Sequence, residues 1–147
     1  MRVYTVIRCP RLEEFPVAVQ RAEALGYDGV SLLEVTIPPT LSAVAAALNS
    51  TRLSILTAVM VAFPRSPMAT AYDAWAIQSL SNGRFQLGLG SQIKSHLLRR
   101  WNTEFFPPVP RMREYVESMR AIWRCWQEGG PLDYQGQYYN FNLMIPY

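Results

Sequence analysis

Ser81-Asn82-Gly83-Arg84-Phe85-Gln86-Leu87-Gly88-Leu89-Gly90-Ser91 is a helix stop, a short apolar strand and a glycine-bounded exit, in that order. Asn82-Gly83 suits a helix C-terminus, where a left-handed residue is needed and glycine supplies it without a Cβ clash. Phe85 to Leu89 is short and mostly apolar, as expected of a strand covered on both faces in a parallel sheet. Gly88 and Gly90 let another group approach the backbone where that strand ends. In α/β sheets, open or closed, ligands gather at the carboxyl ends of the strands. The stretch marks a place before it marks a reaction.

Outward from this stretch the same alternation repeats. Val3 to Ile7 is a first strand, and Pro16 opens a helix in which Phe15, Val19, Ala22 and Leu25 recur at helical spacing up to Gly26. Gly29 to Leu33 is a second buried strand with Glu34 at its carboxyl end. Thr40 is placed as the N-cap of an alanine-rich helix over Leu41 to Leu48, whose alanines permit close packing within the chain or across a subunit boundary. Leu53 to Val61 is a third strand, apolar on both faces, and Ser66-Pro67 caps the helix that runs to Ser81. Gln92 to Trp101 starts a helical piece interrupted by Pro107, Pro108 and Pro110. A longer helix follows from about Arg111 to Glu128, with Met112, Tyr115, Val116, Met119, Ile122, Trp123 and Trp126 on one face. Tyr134 to Phe141 alternates around Gly136 as a small hairpin.

Four strand–helix alternations imply a parallel β/α array. Either an open doubly wound sheet or the first half of an eight-stranded barrel satisfies them, since a full barrel takes about 250 residues and this chain has 147. One domain over 1–147 is the simplest division. With 50% hydrophobic and 17% charged residues the composition is globular. A net charge of +3, without a basic stripe, does not suggest nucleic acid. No apolar run reaches the roughly 18 residues of a membrane span, and the run at Val3–Ile7 is too short for a secretory signal. Cys9 and Cys125 have no metal-ligand spacing, so a reduced, cytoplasmic setting without a metal is expected.

The segment Asn82 to Ser91 resembles the signature of luciferase-like monooxygenases. Ala62-Phe63-Pro64-Arg65-Ser66-Pro67-Met68, the run Ser91 to Arg100, and Ala24-Leu25-Gly26-Tyr27-Asp28-Gly29-Val30 are similar to the branch that uses the deazaflavin coenzyme F420. The resemblance implies a (β/α)8 TIM barrel of which this chain is the N-terminal half, about four parallel β/α units, ending at Tyr147 near where a fifth strand would begin. It is expected to be a fragment or a truncated product. The activity implied is hydride transfer between coenzyme F420 and a small organic substrate, inactive in the half-barrel alone, because members bind cofactor phosphate largely through the other half. An FMN-dependent monooxygenase, or a non-catalytic half-barrel that associates with another chain, are the alternatives. A homo-oligomer, or association through exposed strand edges, is expected either way, with no nucleic-acid or membrane partner.

Carried onto this sequence, the resemblance implies a non-proline cis peptide at Ala58-Val59, forming a bulge behind the cofactor ring. Gly88, Gly90 and Ser91 would let the ring or substrate lie against the fourth strand, or else serve tight packing in a barrel layer. His96, the only histidine, would hydrogen-bond a substrate or ring carbonyl, or sit on a helix surface. Glu34 would orient substrate, or else form a salt bridge or belong to a solvated rim. Lys94, Arg99 and Arg100 would attract an anionic tail, or make a solvated helix face. Cys9, just past the first strand, would line the pocket or pack as a small residue.

Overall fold

The computed structural model describes residues 1–145; Pro146 and Tyr147, which end the domain expected over 1–147, lie outside the described residues. The chain divides into two compact units, Met1–Met60 with Asp73–Gly90, and Val61–Tyr72 with the chain from Ser91 onward.

The first unit is built on β1 (Tyr4–Ile7), α1 (Phe15–Ala24), β2 (Gly29–Leu32), α2 (Pro39–Leu48) and β3 (Ser54–Thr57). After these come β4 (Met60–Val61), α3 (Pro67–Leu80), β5 (Phe85–Gln86) and β6 (Leu89–Gly90), of which α3 contributes its second half to this unit. β1, β2, β3 and β5 form one sheet in that order. Every pairing is parallel, with Tyr4 opposite Gly29, Gly29 opposite Ser54, and Ile55 opposite Phe85. The four expected strands are therefore present, in the expected order and sense. Two are interrupted: the third parts at Ala58-Val59, whose peptide is cis, and the fourth at Leu87-Gly88.

Helix ends follow local chemistry. Gly26 (φ 86°), Asn82 (φ 51°) and Gly83 (φ 80°) take the left-handed conformation that closes α1 and α3. α2 starts earlier than a Thr40 cap would place it, with Pro38 at the N-cap and Pro39 in the first turn. A first-turn proline has no N–H to satisfy, so a side-chain cap is dispensable there.

Burial in this sheet is one-sided. Ile7, Val30, Leu32, Ile55, Thr57 and Phe85 are buried, together with Phe15, Val19 and Ala22 of α1, and Ala43, Ala46 and Ala47 of α2. On the opposite face Val6 is 54% exposed and Gln86 is exposed, while Tyr4, Ser31, Ser54 and Leu56 are half-buried. The expectation of cover on both faces fails here for a geometric reason. Side chains alternate across a strand, and four strands enclose no interior to fill. Tyr4 lies across Gly29 on this open face, where any Cβ would meet its ring. Its phenol is drawn below its usual pKa by hydrogen bonding to Ser54 and then Gln86.

Two side chains tie helices to strands in this unit. Arg84 Nη1 donates to Ser50 Oγ (2.9 Å) and the Leu53 carbonyl (2.8 Å), and Nη2 to the Ser50 (3.0 Å) and Ala47 (3.2 Å) carbonyls. A cation is thereby held at the carboxyl end of α2, where the helix dipole favours it. Glu23 of α1 accepts the Thr51 (2.9 Å) and Arg52 (2.8 Å) amides ahead of β3. Burial pushes its pKa up, and the Arg52, Thr51 and Leu53 amides outweigh that, leaving the carboxyl below its ordinary value.

The second unit holds α4 (Lys94–Arg99), α5 (Pro108–Glu128) and an antiparallel hairpin of β7 (Tyr134–Gln135) and β8 (Asn140–Phe141). α5 begins at Pro108 instead of Arg111, because prolines fit a first helical turn. Tyr115, Met119 and Ile122 are buried as their spacing predicts, and Arg111 and Ser118 join them. The Arg111 guanidinium lies 4.4 Å from the Phe63 ring and 5.2 Å from that of Phe106. It donates to Tyr139 Oη (3.0 Å) and to the Glu104 (3.1 Å) and Phe63 (3.4 Å) carbonyls. Glu114 accepts the Gln137 (3.1 Å) and Tyr138 (2.7 Å) amides, so α5 holds the hairpin by side chains one turn apart. Tyr115 Oη shares a 2.5 Å hydrogen bond with Thr70 Oγ1.

Candidate active site

At the carboxyl end of β3 the chain builds a ledge. The Thr57 hydroxyl donates to the Gly88 carbonyl (2.9 Å) and accepts the Gly88 amide (2.8 Å). The Met60 amide reaches the same carbonyl at 2.8 Å, and the Ala58 amide reaches the Leu32 carbonyl at 2.8 Å. These bonds span the point where β5 gives way to β6, so the third and fourth strands stay together although each is broken. A Cβ at Gly88 would overlap the Thr57 carbonyl, and one at Gly90 would overlap Val59 Cγ2. Gly88 is thus required by the approach of the third strand's backbone, and Gly90 by the Val59 side chain. Their effect is a surface poor in side chains, formed by half-buried Gly88, Leu89 and Gly90 beside Val59, which is 44% exposed. Such a surface, largely apolar and short of side chains, can receive the apolar face of a ligand.

A second concave feature of the first unit lies beyond β1 and β2. Ile7, Arg8, Cys9, Pro10, Phe15, Leu33, Val35, Thr36, Ile37 and Ser42 enclose ≈ 290 Å³. Cys9 therefore lines a cavity, and it is a free thiol. Burial, then the Glu14 carboxylate, pushes its pKa up, so it stays protonated near neutral pH.

The remaining sequence candidates are dispersed. Glu34 is half-buried just past β2 in the first unit. Ser91 is half-buried and opens the final segment of the second unit. His96 is exposed on α4, where with Ser95, Arg99 and Arg100 it lines a shallow hollow of ≈ 360 Å³. Lys94 lies 5.4 Å from the Phe105 ring, and Arg100 lies 5.3 Å from that of Trp101. Ala58, Val59, Gly88 and Gly90 come together at one ledge, whereas His96 and Glu34 belong to different units. Among the described residues no three His, Cys, Asp or Glu side chains gather to hold a metal ion. No helix among the described residues is long and apolar enough to cross a membrane.

Thr57 escapes the sequence reading, although a signal for it exists. It is the polar residue that closes β3 after Ile55 and Leu56, facing a Gly-x-Gly pair. Arg84 escapes too, since a lone arginine after a helix stop looks solvated.

Four parallel strands with helices between them, and a ledge at their carboxyl ends, define the N-terminal half of a (β/α)8 barrel. The sequence model of the luciferase-like monooxygenase family matches residues 2–145, and the chain belongs to that family. An uncharacterised protein of Mycobacterium tuberculosis is 39% identical over 136 residues, covering 92% of this chain and 39% of the relative. A putative coenzyme F420-dependent oxidoreductase of the same organism is 32% identical over 127 residues, covering 85% of this chain and 35% of the relative. Among solved structures, the oxygenating constituent of 3,6-diketocamphane monooxygenase of Pseudomonas putida, in complex with FMN, superposes with a TM-score of 0.82 at 18% identity. That match covers 99% of this chain and 45% of the other, and it shows the shared fold. The chain spans well under half the length of the curated relatives it matches.

Proposed function

We propose that this chain forms the N-terminal half of a coenzyme F420-dependent oxidoreductase acting on a small organic substrate. The observation that carries the reading is the ledge, where Val59 is exposed beside the bare backbone of Gly88 and Gly90. Bound there, a deazaflavin would supply or accept a hydride. Ala58 and Val59 would support the ring from below, and Thr57 would keep the ledge rigid through Gly88. Glu34, in the same unit as the ledge, is the candidate for a hydrogen bond to ring or substrate. The M. tuberculosis relative named for coenzyme F420 favours that cofactor over FMN, which the P. putida structure carries. A cytoplasmic location is part of the same proposal.

Equilibrium titration of the 147-residue chain with F420 and with FMN tests this reading. Weak binding, looser than micromolar and in favour of F420, is expected, with loss on Val59→Asp. Preference for FMN would move the assignment to a flavin-dependent monooxygenase. Micromolar or tighter binding of either cofactor by this chain alone would overturn the assignment of the phosphate anchor to the other half of the barrel.

A second reading rests on the open sheet face and its edges. Among the described residues β1 and β5 each pair on one side alone, and Val6 of the edge strand β1 is 54% exposed. Unpaired edges of this kind recruit further strands. The half-barrel would then associate with another copy of itself or with another chain. Sedimentation across a concentration series decides it: a persistent monomer with a cooperative thermal transition would refute association.

A further inference from the structure

The sheet of β1, β2, β3 and β5 has one open face, on which Tyr4, Val6, Ser31, Ser54, Leu56 and Gln86 stand. Gln86 Nε2 reaches Tyr4 Oη at 3.5 Å, so side chains of the two edge strands meet over the face, yet Val6 stays 54% exposed. The chemistry of this set fits a partner identical to itself. Around a two-fold axis each side chain faces its symmetry mate, and none of these residues is Asp, Glu, Lys or Arg. The polar ones, Tyr4, Ser31, Ser54 and Gln86, each carry both a donor and an acceptor, so each can pair with its own kind or with any of the others. The number fits as well. Six side chains from each of two copies make up the roughly twelve, in three layers of four, that fill an eight-stranded parallel barrel.

We propose that this face takes a second copy of the chain, the two sheets closing one eight-stranded barrel about a two-fold axis. Among the described residues each copy brings one β1 edge and one β5 edge. An axis along the barrel sets the β1 edge of one copy beside the β5 edge of the other. Both junctions then run in the parallel sense of the pairs already formed, and the ring closes at two copies. One edge position is already met, since the Phe85 amide donates to Gln78 Oε1 at 3.1 Å, and the partner strand bonds beyond it. The dimer rests on the association reading above and fixes its partner and its geometry.

Sedimentation of the 147-residue chain across a concentration series, together with variants of the open face, tests the dimer. A monomer–dimer equilibrium is expected, without growth into longer species. Val6→Asp should weaken dimerisation at least about a hundredfold, because two carboxylates would be enclosed together. Val17→Asp, on α1 where the native side chain is 70% exposed, should leave it unchanged. Gln86→Lys should weaken it as well. A mixture of the Val6→Asp and Gln86→Lys chains should recover a dimer, since one charge of each sign is then enclosed. Chains that had merely misfolded would not rescue one another in this way. A dimer indifferent to Val6→Asp, no recovery in the mixture, or an open-ended series of species would overturn the two-fold barrel while leaving edge association standing. A monomer at every concentration would overturn both.

Discussion

A single hydroxyl, that of Thr57, satisfies both the amide and the carbonyl of Gly88, at 2.8 and 2.9 Å. It stands in for the ladder hydrogen bonds that the interrupted strands forgo. Thr57→Val keeps the shape and removes both bonds, leaving the Gly88 amide without a partner. A loss of about 2 kcal/mol in unfolding free energy is expected, with Thr57→Ser retaining most of it. Urea unfolding of the three proteins checks this, and equal stability of the Val and native forms would contradict it.

The two glycines of the ledge should respond differently to a methyl group. At Gly88 the added Cβ meets the Thr57 carbonyl, which is backbone and cannot step aside. Gly88→Ala should cost about 3 kcal/mol. At Gly90 the obstacle is Val59 Cγ2, a side-chain atom. Val59→Ala should therefore rescue Gly90→Ala and leave Gly88→Ala unrescued. A double-mutant cycle on unfolding free energies reads the coupling.

Arg84 is expected to be the most sensitive charged residue of the first unit. Its four hydrogen bonds join the end of α2 to the start of β5. Arg84→Met should remove about 3 kcal/mol, the loss of several charge-assisted bonds to partly buried acceptors. Arg84→Lys should recover less than half, because an ammonium cannot span acceptors that a planar fork reaches. Thermal unfolding of both variants checks the order.

Alkaline pH should loosen the second unit. Burial pushes the Tyr115 phenol up to about 12 from an ordinary value of 10.0, against the hydrogen bond shared with Thr70, which lowers it. Between those values the unfolded chain has released a proton that the folded chain retains. Stability should therefore hold below pH 10 and fall as pH rises toward about 12. Tyr115→Phe should flatten that fall while lowering stability at neutral pH, since the buried Thr70 hydroxyl loses its partner. Urea midpoints measured as a function of pH test both signs.

Apolar runs between caps made the order and sense of the strands legible. Pro16, Gly26, Pro67 and Asn82-Gly83 set the ends of α1 and α3 by constraints that act within a few residues. The breaks in the third and fourth strands were less accessible, since Leu53–Val61 is mostly apolar on both faces and periodicity does not register a local turn. One-sided burial was invisible because Val6 and Leu56 are residues suited to a closed interior, whichever face is covered. Arg111 was hidden for another reason. Its partners Phe63, Glu104 and Tyr139 come from three separate stretches, and charge alone suggests solvent. The resemblance brought Ala58, Val59, Gly88 and Gly90 forward as a group.

The contacts of Arg84 also bear on how chains of this kind are recognised. Within Asn82-Gly83-Arg84-Phe85, Asn82 and Gly83 close a helix, Phe85 fills the core, and Arg84 grips the carbonyls of a preceding helix. Each of these duties is discharged in the bare polypeptide. A pattern search keyed on this tetrapeptide therefore selects for a way of latching two β/α units together. It would retrieve a chain that had lost its redox chemistry as readily as one that kept it, so that descent and catalytic competence have to be judged from different residues.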